Sequence, residues 1–445
     1  MRLFSWPKYS YTLIGGTEGI YSQPKTSAIF SKPLIGLIVA YLVTFISLWI
    51  SKSADPTSWF FNDDVGYTPA YSAFRRQQAE TYIDQVKSQT LRFNPSDGET
   101  TVCLGVPTFA RHGARYFRST IGSLLHDLDP VERKRIYLLP FVAHTDPLKH
   151  PAYSEPWLSQ VADHVLVYNQ SDPGFEHTKE LETTLNFREK ALLDYIYLLK
   201  ACQETGTDYT AILEDDVIAM DGWFYRTMAG LKQIEALAPD FLYLRLFFTE
   251  EFLGWNSENW RQYLAASLLA VITVACAQLI LRRRIPSARR YLENWAVVAI
   301  SLVYVPLCIL LFFAAGTGVV RRWQYPSGVN VMENYGCCGQ GFVFSQAMVQ
   351  KLIPYYQDKK LGFVDMLTEE YGDHHDNLRF AIMPSVLQHI GATTSKEGVD
   401  AKPDESSKKH VRTISEKMWN FEFERHNPEV LKTEHKSAVA GLKQT

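Results

Sequence analysis

The tripeptide Glu214-Asp215-Asp216 follows directly on the apolar run Tyr209–Leu213. Three carboxylates therefore stand where a buried strand would emerge from a sheet at its C-terminal end, the place where open α/β sheets bind ligands. Hard oxygen donors of this kind suit Mn²⁺ or Mg²⁺, and such an ion suits a diphosphate whose leaving-group charge must be neutralised. Acidic turns after strands also cap helices, and a helix starting near Gly222 would use these aspartates in that way. Spacing alone leaves both readings open. His389 sits near the end of the extended run Ala381–Ile390, AIMPSVLQHI, where an imidazole either completes a metal site with the carboxylates or serves the core. Asp365, in GFVDML, begins a helical pattern and suits an N-cap or a general base. Glu369, Glu370, Asp373 and Asp376 follow as alternative carboxylates on a more polar stretch, most of them reading as solvated.

The elements needed to position these groups are legible as apolar runs. Thr101–Phe109 (TVCLGVPTF) reads as a buried strand ended by Pro107, followed by a helical pattern over Phe117–Leu128. Apolar runs follow at Ile136–Ala143 and Val161–Tyr168, then an amphipathic helix at Leu185–Cys202 and the strand Tyr209–Leu213. Phe241–Phe248, Gly341–Ser345 and Leu378–Leu387 read as further extended segments, with a helix at Gln346–Tyr356. Strands alternating with helices predict an α/β domain with a mostly parallel sheet. Beyond Ala392 the chain is polar, with an aromatic patch at Trp419, Phe421 and Phe423 that is expected to dock on the domain.

Three charge-free apolar runs interrupt this pattern. Pro33–Ile50 has 18 residues without a charge, about 27 Å as a helix against a hydrocarbon core of roughly 30 Å. It is long for a signal peptide and lacks a small-x-small cleavage site before Lys52, so it reads as an uncleaved anchor. Tyr263–Leu281 and Trp295–Val320 are separated by a linker carrying Arg282, Arg283, Arg284, Arg289 and Arg290. Five clustered arginines suit the cytoplasmic turn of a transmembrane hairpin better than a turn flanking a soluble core. Pro306 in the third run is acceptable there, because neighbouring helices or water satisfy the carbonyl it frees. Parity then puts the N-terminus on the cytoplasmic side and residues 51–262 and 321–445 in the lumen. The sequon Asn169-Gln170-Ser171 falls on that side as a candidate glycosylation site. The spans hold no charged side chain, which argues against a transporter.

The expected layout is a tail over 1–32, spans at 33–50, 263–281 and 295–320, and a basic turn at 282–294. A juxtamembrane segment at 51–100, two halves of one domain at 101–262 and 321–395, and a charged segment at 396–445 complete it. Neither half alone makes a complete doubly wound sheet, so the chain is expected to leave the domain, dip through the membrane and return. With 45 Lys and Arg against 48 Asp and Glu, net −3, no global field recruits nucleic acid. Six cysteines are too few for a disulfide scaffold, and Cys276 and Cys308 fall in apolar runs. Among Cys103, Cys202, Cys337 and Cys338, the adjacent pair is too strained to close on itself. At least one of Cys337 and Cys338 is therefore expected to bridge to a distant cysteine.

The segments VPTFARHGARYFRSTIGSLL, ILEDDV and VDMLTEEY…NLRFAIMPSVLQHIG together resemble the GT-A glycosyltransferases related to N-acetylglucosaminyltransferase IV. An anchor plus two tandem spans inside such a domain is similar to the family of Golgi GPI-glycan N-acetylgalactosaminyltransferases, the post-GPI-attachment-to-proteins factors. That resemblance implies a GT-A fold and inverting transfer of N-acetylgalactosamine from UDP-GalNAc to the first mannose of the GPI core, with Mn²⁺ or Mg²⁺. The acceptor would be a GPI glycolipid or a GPI-anchored protein at the Golgi bilayer. By the same resemblance Glu214, Asp215 and Asp216 take the acidic DXD-like role at the donor, with Asp216, Glu214 and His389 at the ion and Asp365 as base. Glu-Asp-Asp is not a strict DXD, which leaves open which carboxylate holds the ion. Val106, Pro107 and Thr108, with Arg111 and Arg115, match the nucleotide cradle, and Gly339, Gln340 and Gly341 the acceptor-side loop. Another UDP-sugar, another glycolipid acceptor, or a GPI-glycan-binding protein without turnover are the competing functions.

Overall fold

Nearly continuous apolar strands require cover on both faces, and the computed structural model, which describes residues 27–88, 100–111, 113–332, 339–392 and 414–442, supplies it. The strands are β1 (Val102–Thr108), β2 (Ile136–Val142), β3 (Tyr209–Leu213), β4 (Val217–Ala219), β5 (Tyr243–Arg245), β6 (Gly328–Val331), β7 (Gly341–Ser345), β8 (Arg379–Met383) and β9 (Leu387–His389). Seven of them form one sheet in the order β2-β1-β3-β7-β5-β8-β6, and β4 pairs with β9 separately. Five of the seven run in one direction, while β7 and β6 are reversed. The sheet is thus mixed and largely parallel, flanked by helices.

Strand alternation sorts the core into two layers. Val102, Leu104 and Val106 of β1 join a cluster with Phe117, Ile121 and Leu124 of helix Tyr116–Leu125 and with Trp223 and Phe224 of helix Trp223–Leu237. Cys103, on the opposite face, joins Leu198, Leu199 and Cys202 of helix Phe187–Glu204 and Leu352 of helix Gln346–Lys359. Cys103 and Cys202 are disulfide-bonded, with Cα atoms 5.6 Å apart. Cys337 and Cys338 lie outside the described residues, and each of their two expected lumenal partners is taken by the other. Helix Tyr71–Ser88 crosses helix Tyr116–Leu125 at Gly122, where a Cβ would come within 2.5 Å of the Ala79 carbonyl oxygen.

Two apolar runs pair over less than their length. Val161–Tyr168 leaves a short helix end and contributes one bridge, Leu166 to Phe141, because the Asp163 carboxylate takes the Leu138 N–H and pairs with Arg133. Phe241–Phe248 pairs only over Tyr243–Arg245. The C-terminal segment is built into the α/β core: Trp419, Phe421 and Phe423 are buried, and helix Pro428–Leu442 packs on helix Trp223–Leu237.

The chain divides into two compact units, one of the residues up to Ser47 with Tyr263–Ile309, the other of Leu48–Gln262 with Leu310 onward. The second unit holds the whole sheet. β7 enters between β3 and β5, so the sheet closes only when the chain has returned from the first unit. Three helices long and apolar enough to cross a membrane, within Leu34–Ser51, Glu250–Arg284 and Asn294–Ala314, have most of their length in the first unit and their ends in the second. The third has a π-type turn at Ile300–Tyr304 just before Pro306, the kind of local adjustment that absorbs a missing donor. Gln278 Nε2 donates to Ser301 Oγ at 3.1 Å within the first unit.

Candidate active site

Three neighbouring elements fix the backbone of Glu214-Asp215-Asp216. The Glu214 N–H donates to the Gln340 carbonyl (3.1 Å) and the Ile390 N–H to the Asp216 carbonyl (2.8 Å). Thr120 Oγ1, from helix Tyr116–Leu125, donates to the Asp215 carbonyl at 2.8 Å. The antiparallel β4–β9 pair sets Val217 opposite His389, and this register carries His389 to Asp216.

The side chains then divide in two. Asp215 is engaged inward: Thr108 Oγ1 donates to its Oδ2 at 2.6 Å and Arg111 pairs with its Oδ1 at 2.7 Å. Behind Thr108 stands buried His150, whose Nδ1 accepts from the Ala152 N–H at 3.2 Å. That assigns the proton to Nε2, which donates to Thr108 Oγ1 at 3.0 Å. Burial, together with His144, pushes His150 down to about 4, so the relay ends on a neutral ring. Glu214, Asp216 and His389 form the second group, with one ligand atom from each lying within 4.8 Å of the others. His389 Nε2 is 3.4 Å from Asp216 Oδ2, and Arg111 reaches the same oxygen at 3.1 Å.

This second group has the chemistry of a hard-cation site. Asp216 Oδ1 and His389 Nδ1 are buried without a hydrogen-bond partner among the described residues. Gly391 lets the other two atoms of the pair approach the backbone, since a Cβ there would lie 2.2 Å from Asp216 Oδ2 and 3.0 Å from His389 Nε2. Burial, with the Asp216 charge beside it, pushes Glu214 up to about 7. Asp215 is raised to about 6, burial outweighing the Arg111 guanidinium. For Asp216 the His389 and Arg111 contacts overcome burial and hold the carboxyl below its ordinary range, and the same contact raises His389. Clustered carboxylates that resist joint ionisation are what a divalent ion relieves.

A cavity opens beside Asp215, lined by Thr108, Phe109, Arg111, Arg115, Tyr116 and His150. Thr108, Arg111 and Arg115 of the expected cradle therefore line it. Val106 instead is fully buried in the core, while Pro107 is half-buried. Arg115 is exposed and pairs with Glu155. Of the expected acceptor-side loop, Gln340 is buried with Nε2 on Met418 Sδ at 2.9 Å. Gly341 starts β7, where a Cβ would meet Leu387 at 2.7 Å. A Cβ on Gly339 would lie 3.8 Å from the Asp365 Cβ, so Asp365 stands beside the loop whose next carbonyl holds Glu214. Asp365 lies in the first turn of helix Val364–His375, half-buried, and Phe363 occupies the N-cap position. Exposed Asn169 accepts from the Ser171 N–H at 3.0 Å.

Sequence reasoning missed several members. Tyr195, whose buried hydroxyl has no hydrogen-bond partner among the described residues, feels both Glu214 and Asp365. Glu369, one of the alternative carboxylates, is engaged by β5 and β8: it takes Tyr243 Oη at 2.5 Å, Arg245 at 2.9 Å and Arg379 at 2.6 Å. Nothing local marks His150, Gly391 or Tyr195, because their roles arise from contacts distant in sequence.

Residues 102–388 match the family model described as GPI-N-acetylgalactosamine transferase PGAP4. The chain belongs to that family. Among curated proteins, the PGAP4-family chain is similar to alpha-1,3-mannosyl-glycoprotein 4-beta-N-acetylglucosaminyltransferase B of Danio rerio, with 27% identity over 144 residues, 28% of this chain and 25% of that protein. The A enzyme of Bos taurus is 26% identical over 195 residues, 39% of this chain and 36% of its own length. The match thus spans about a quarter to a third of the relatives' length.

Proposed function

We propose that this PGAP4-family chain is a metal-dependent, inverting GT-A glycosyltransferase that moves N-acetylgalactosamine from UDP-GalNAc to the first mannose of the GPI core. The observation that carries the reading is the convergence of Glu214, Asp216 and His389 on one buried point at the end of β3, beside the cavity next to Asp215. Those three residues would hold Mn²⁺ or Mg²⁺, which supplies charge neutralisation for the departing diphosphate. Asp215 and Thr108 orient Arg111, whose guanidinium lies close enough to serve the same negative charge. Asp365, beside Gly339, takes the proton of the attacking hydroxyl as base. Burial of the acidic group keeps water from competing with the acceptor and strengthens the local electrostatics.

Golgi lumenal placement of the α/β unit, with the N-terminus cytoplasmic, is supported by the arginine turn and by the Cys103–Cys202 bond, since such bonds persist in oxidising compartments. A second reading keeps the site and changes the donor to UDP-N-acetylglucosamine, because the curated relatives are named as N-acetylglucosaminyltransferases. Detergent-purified protein incubated with UDP-sugars and a GPI acceptor decides between them: product from UDP-GalNAc alone is expected, and product from UDP-N-acetylglucosamine instead would replace the donor assignment. Asp365→Asn is expected to keep UDP binding and lose roughly 10²- to 10⁴-fold in transfer. Near-normal turnover would remove Asp365 as the base.

A further inference from the structure

The segments leading out of and into the apolar helices are tied to one another inside the α/β unit. The Trp59 N–H donates to the carbonyl of Ala314, the last residue of the third apolar helix, at 2.8 Å. Trp255 Nε1 donates to the Phe313 carbonyl at 3.0 Å. The Thr317 N–H donates to Thr57 Oγ1 at 3.0 Å, and Thr317 Oγ1 donates to the Leu253 carbonyl. Arg321 pairs with buried Asp55 at 3.3 Å, and Lys52 stands 3.7 Å from the same carboxylate. Residues 52–60, 250–260 and 313–324 thus make one collar, to which all three apolar helices contribute a flank.

Two tryptophans project from this collar with 90% of their surface exposed, Trp59 and Trp323. Phe252 (58%) and Trp260 (56%) are exposed on it as well, and so are Arg261 and Arg322. Single exposed apolar residues are ordinary on protein surfaces. Two almost fully exposed tryptophans on one small, hydrogen-bonded collar are not, because an indole is large and chiefly apolar.

We propose that this collar is a membrane-interface anchor, with Trp59 and Trp323 seated among the lipid headgroups in addition to the spans. The proposal rests on the membrane reading of the apolar helices. Trp59 is hydrogen-bonded through its backbone to the residue where the third of these helices ends, so its ring leaves the chain at headgroup level. There an indole buries its apolar body and its N–H finds acceptors. Arg322 and Arg261 extend their stems over the same apolar surface and carry their guanidinium groups to lipid phosphates. Anchored at the collar as well as by the spans, the α/β unit is kept from rocking on its connections. The head of a lipid-linked acceptor is then met at a fixed height and orientation, which lowers the entropic cost of the encounter.

The test uses the full-length protein in phosphatidylcholine vesicles whose acyl chains carry bromine close to the headgroup. The emission of Trp59→Tyr/Trp323→Tyr is subtracted from that of the parent, so that only these two indoles are read. A blue-shifted difference emission, quenched by bromine, is expected. Trp59→Ser/Trp323→Ser is expected to lose about three- to tenfold in transfer to an acceptor embedded in the bilayer, while transfer to a water-soluble glycan fragment is unchanged. Unquenched emission typical of indole in water, or equal losses on both acceptors, overturns the anchor. Protection that grows only with protein density in the vesicle assigns the surface to a second copy and overturns it too. Alkaline carbonate extraction separates the two failures: parent protein released from the vesicles defeats the membrane reading, whereas retained protein with water-exposed indoles defeats the anchor alone.

Discussion

His435 and His389 are both buried among carboxylates, and they have opposite fates. His435, on the C-terminal helix, is closed: Nδ1 meets Asp221 at 2.7 Å and Nε2 meets Glu132 at 2.8 Å, all three buried. His389 is open: one nitrogen stands 3.4 Å from Asp216, the other has no partner among the described residues, and Gly391 packs against the pair. The ligand types are the same in both places. A ring saturated by its carboxylates is a clamp, whereas a ring and carboxylates that keep unused acceptor atoms retain the capacity to take a cation.

The largest effects should come from closing or emptying the open cluster. Asp216→Ala is expected to abolish ion-dependent UDP binding, read by calorimetry with and without Mn²⁺, and to lower transfer on the order of 10³-fold. Retained ion-dependent binding would mean that the carboxylates only shape the turn. Gly391→Ala sharpens the point without removing a ligand, since the added methyl is directed at Asp216 Oδ2. A loss of about 10²-fold in transfer is expected with little change in melting temperature. Wild-type activity in this variant would show that the placement of Asp216 against His389 does not matter for transfer.

The closed cluster should answer in stability instead. His435→Ala leaves Asp221 and Glu132 buried without their cation, and such removals cost about 3 to 5 kcal/mol. Denaturant unfolding is expected to report this loss, while transfer per folded molecule stays at the parental level. A smaller effect follows from pH. Burial would lower the His435 imidazole, but Asp221 and Glu132 raise it to about 9, above the ordinary value of 6.5. Its contribution to stability is therefore complete below about 6.5 and lost as pH rises through about 9. The melting temperature of the parent should decline over that interval and that of His435→Ala should not; parallel declines would place the alkaline sensitivity elsewhere.

Much of this architecture is local and legible in the sequence. β1, β3 and β7 lie close to where apolar runs placed them, and the Glu-Asp-Asp turn falls at the end of β3 because a buried strand must emerge somewhere polar. The Val161–Tyr168 run was misleading, since hydrophobicity marks burial and not pairing, and Asp163 takes an edge donor of β2. The partners of Glu369 were not legible: a polar neighbourhood in sequence conceals Arg245 and Arg379, which arrive from β5 and β8.

The sequence by itself determined the charge-free helices, the mixed strand and helix pattern, and the presence of carboxylates at a strand end, because each depends on side chains a few positions apart. Only the tertiary structure decided that Cys103 joins Cys202, that His150 supports Asp215 through Thr108, and that His389 and not His435 is left with a vacant nitrogen. These outcomes depend on register and on packing between elements far apart in the chain. A one-residue shift in the β4–β9 pairing would turn His389 to the other face, and no pattern within either strand reports on it.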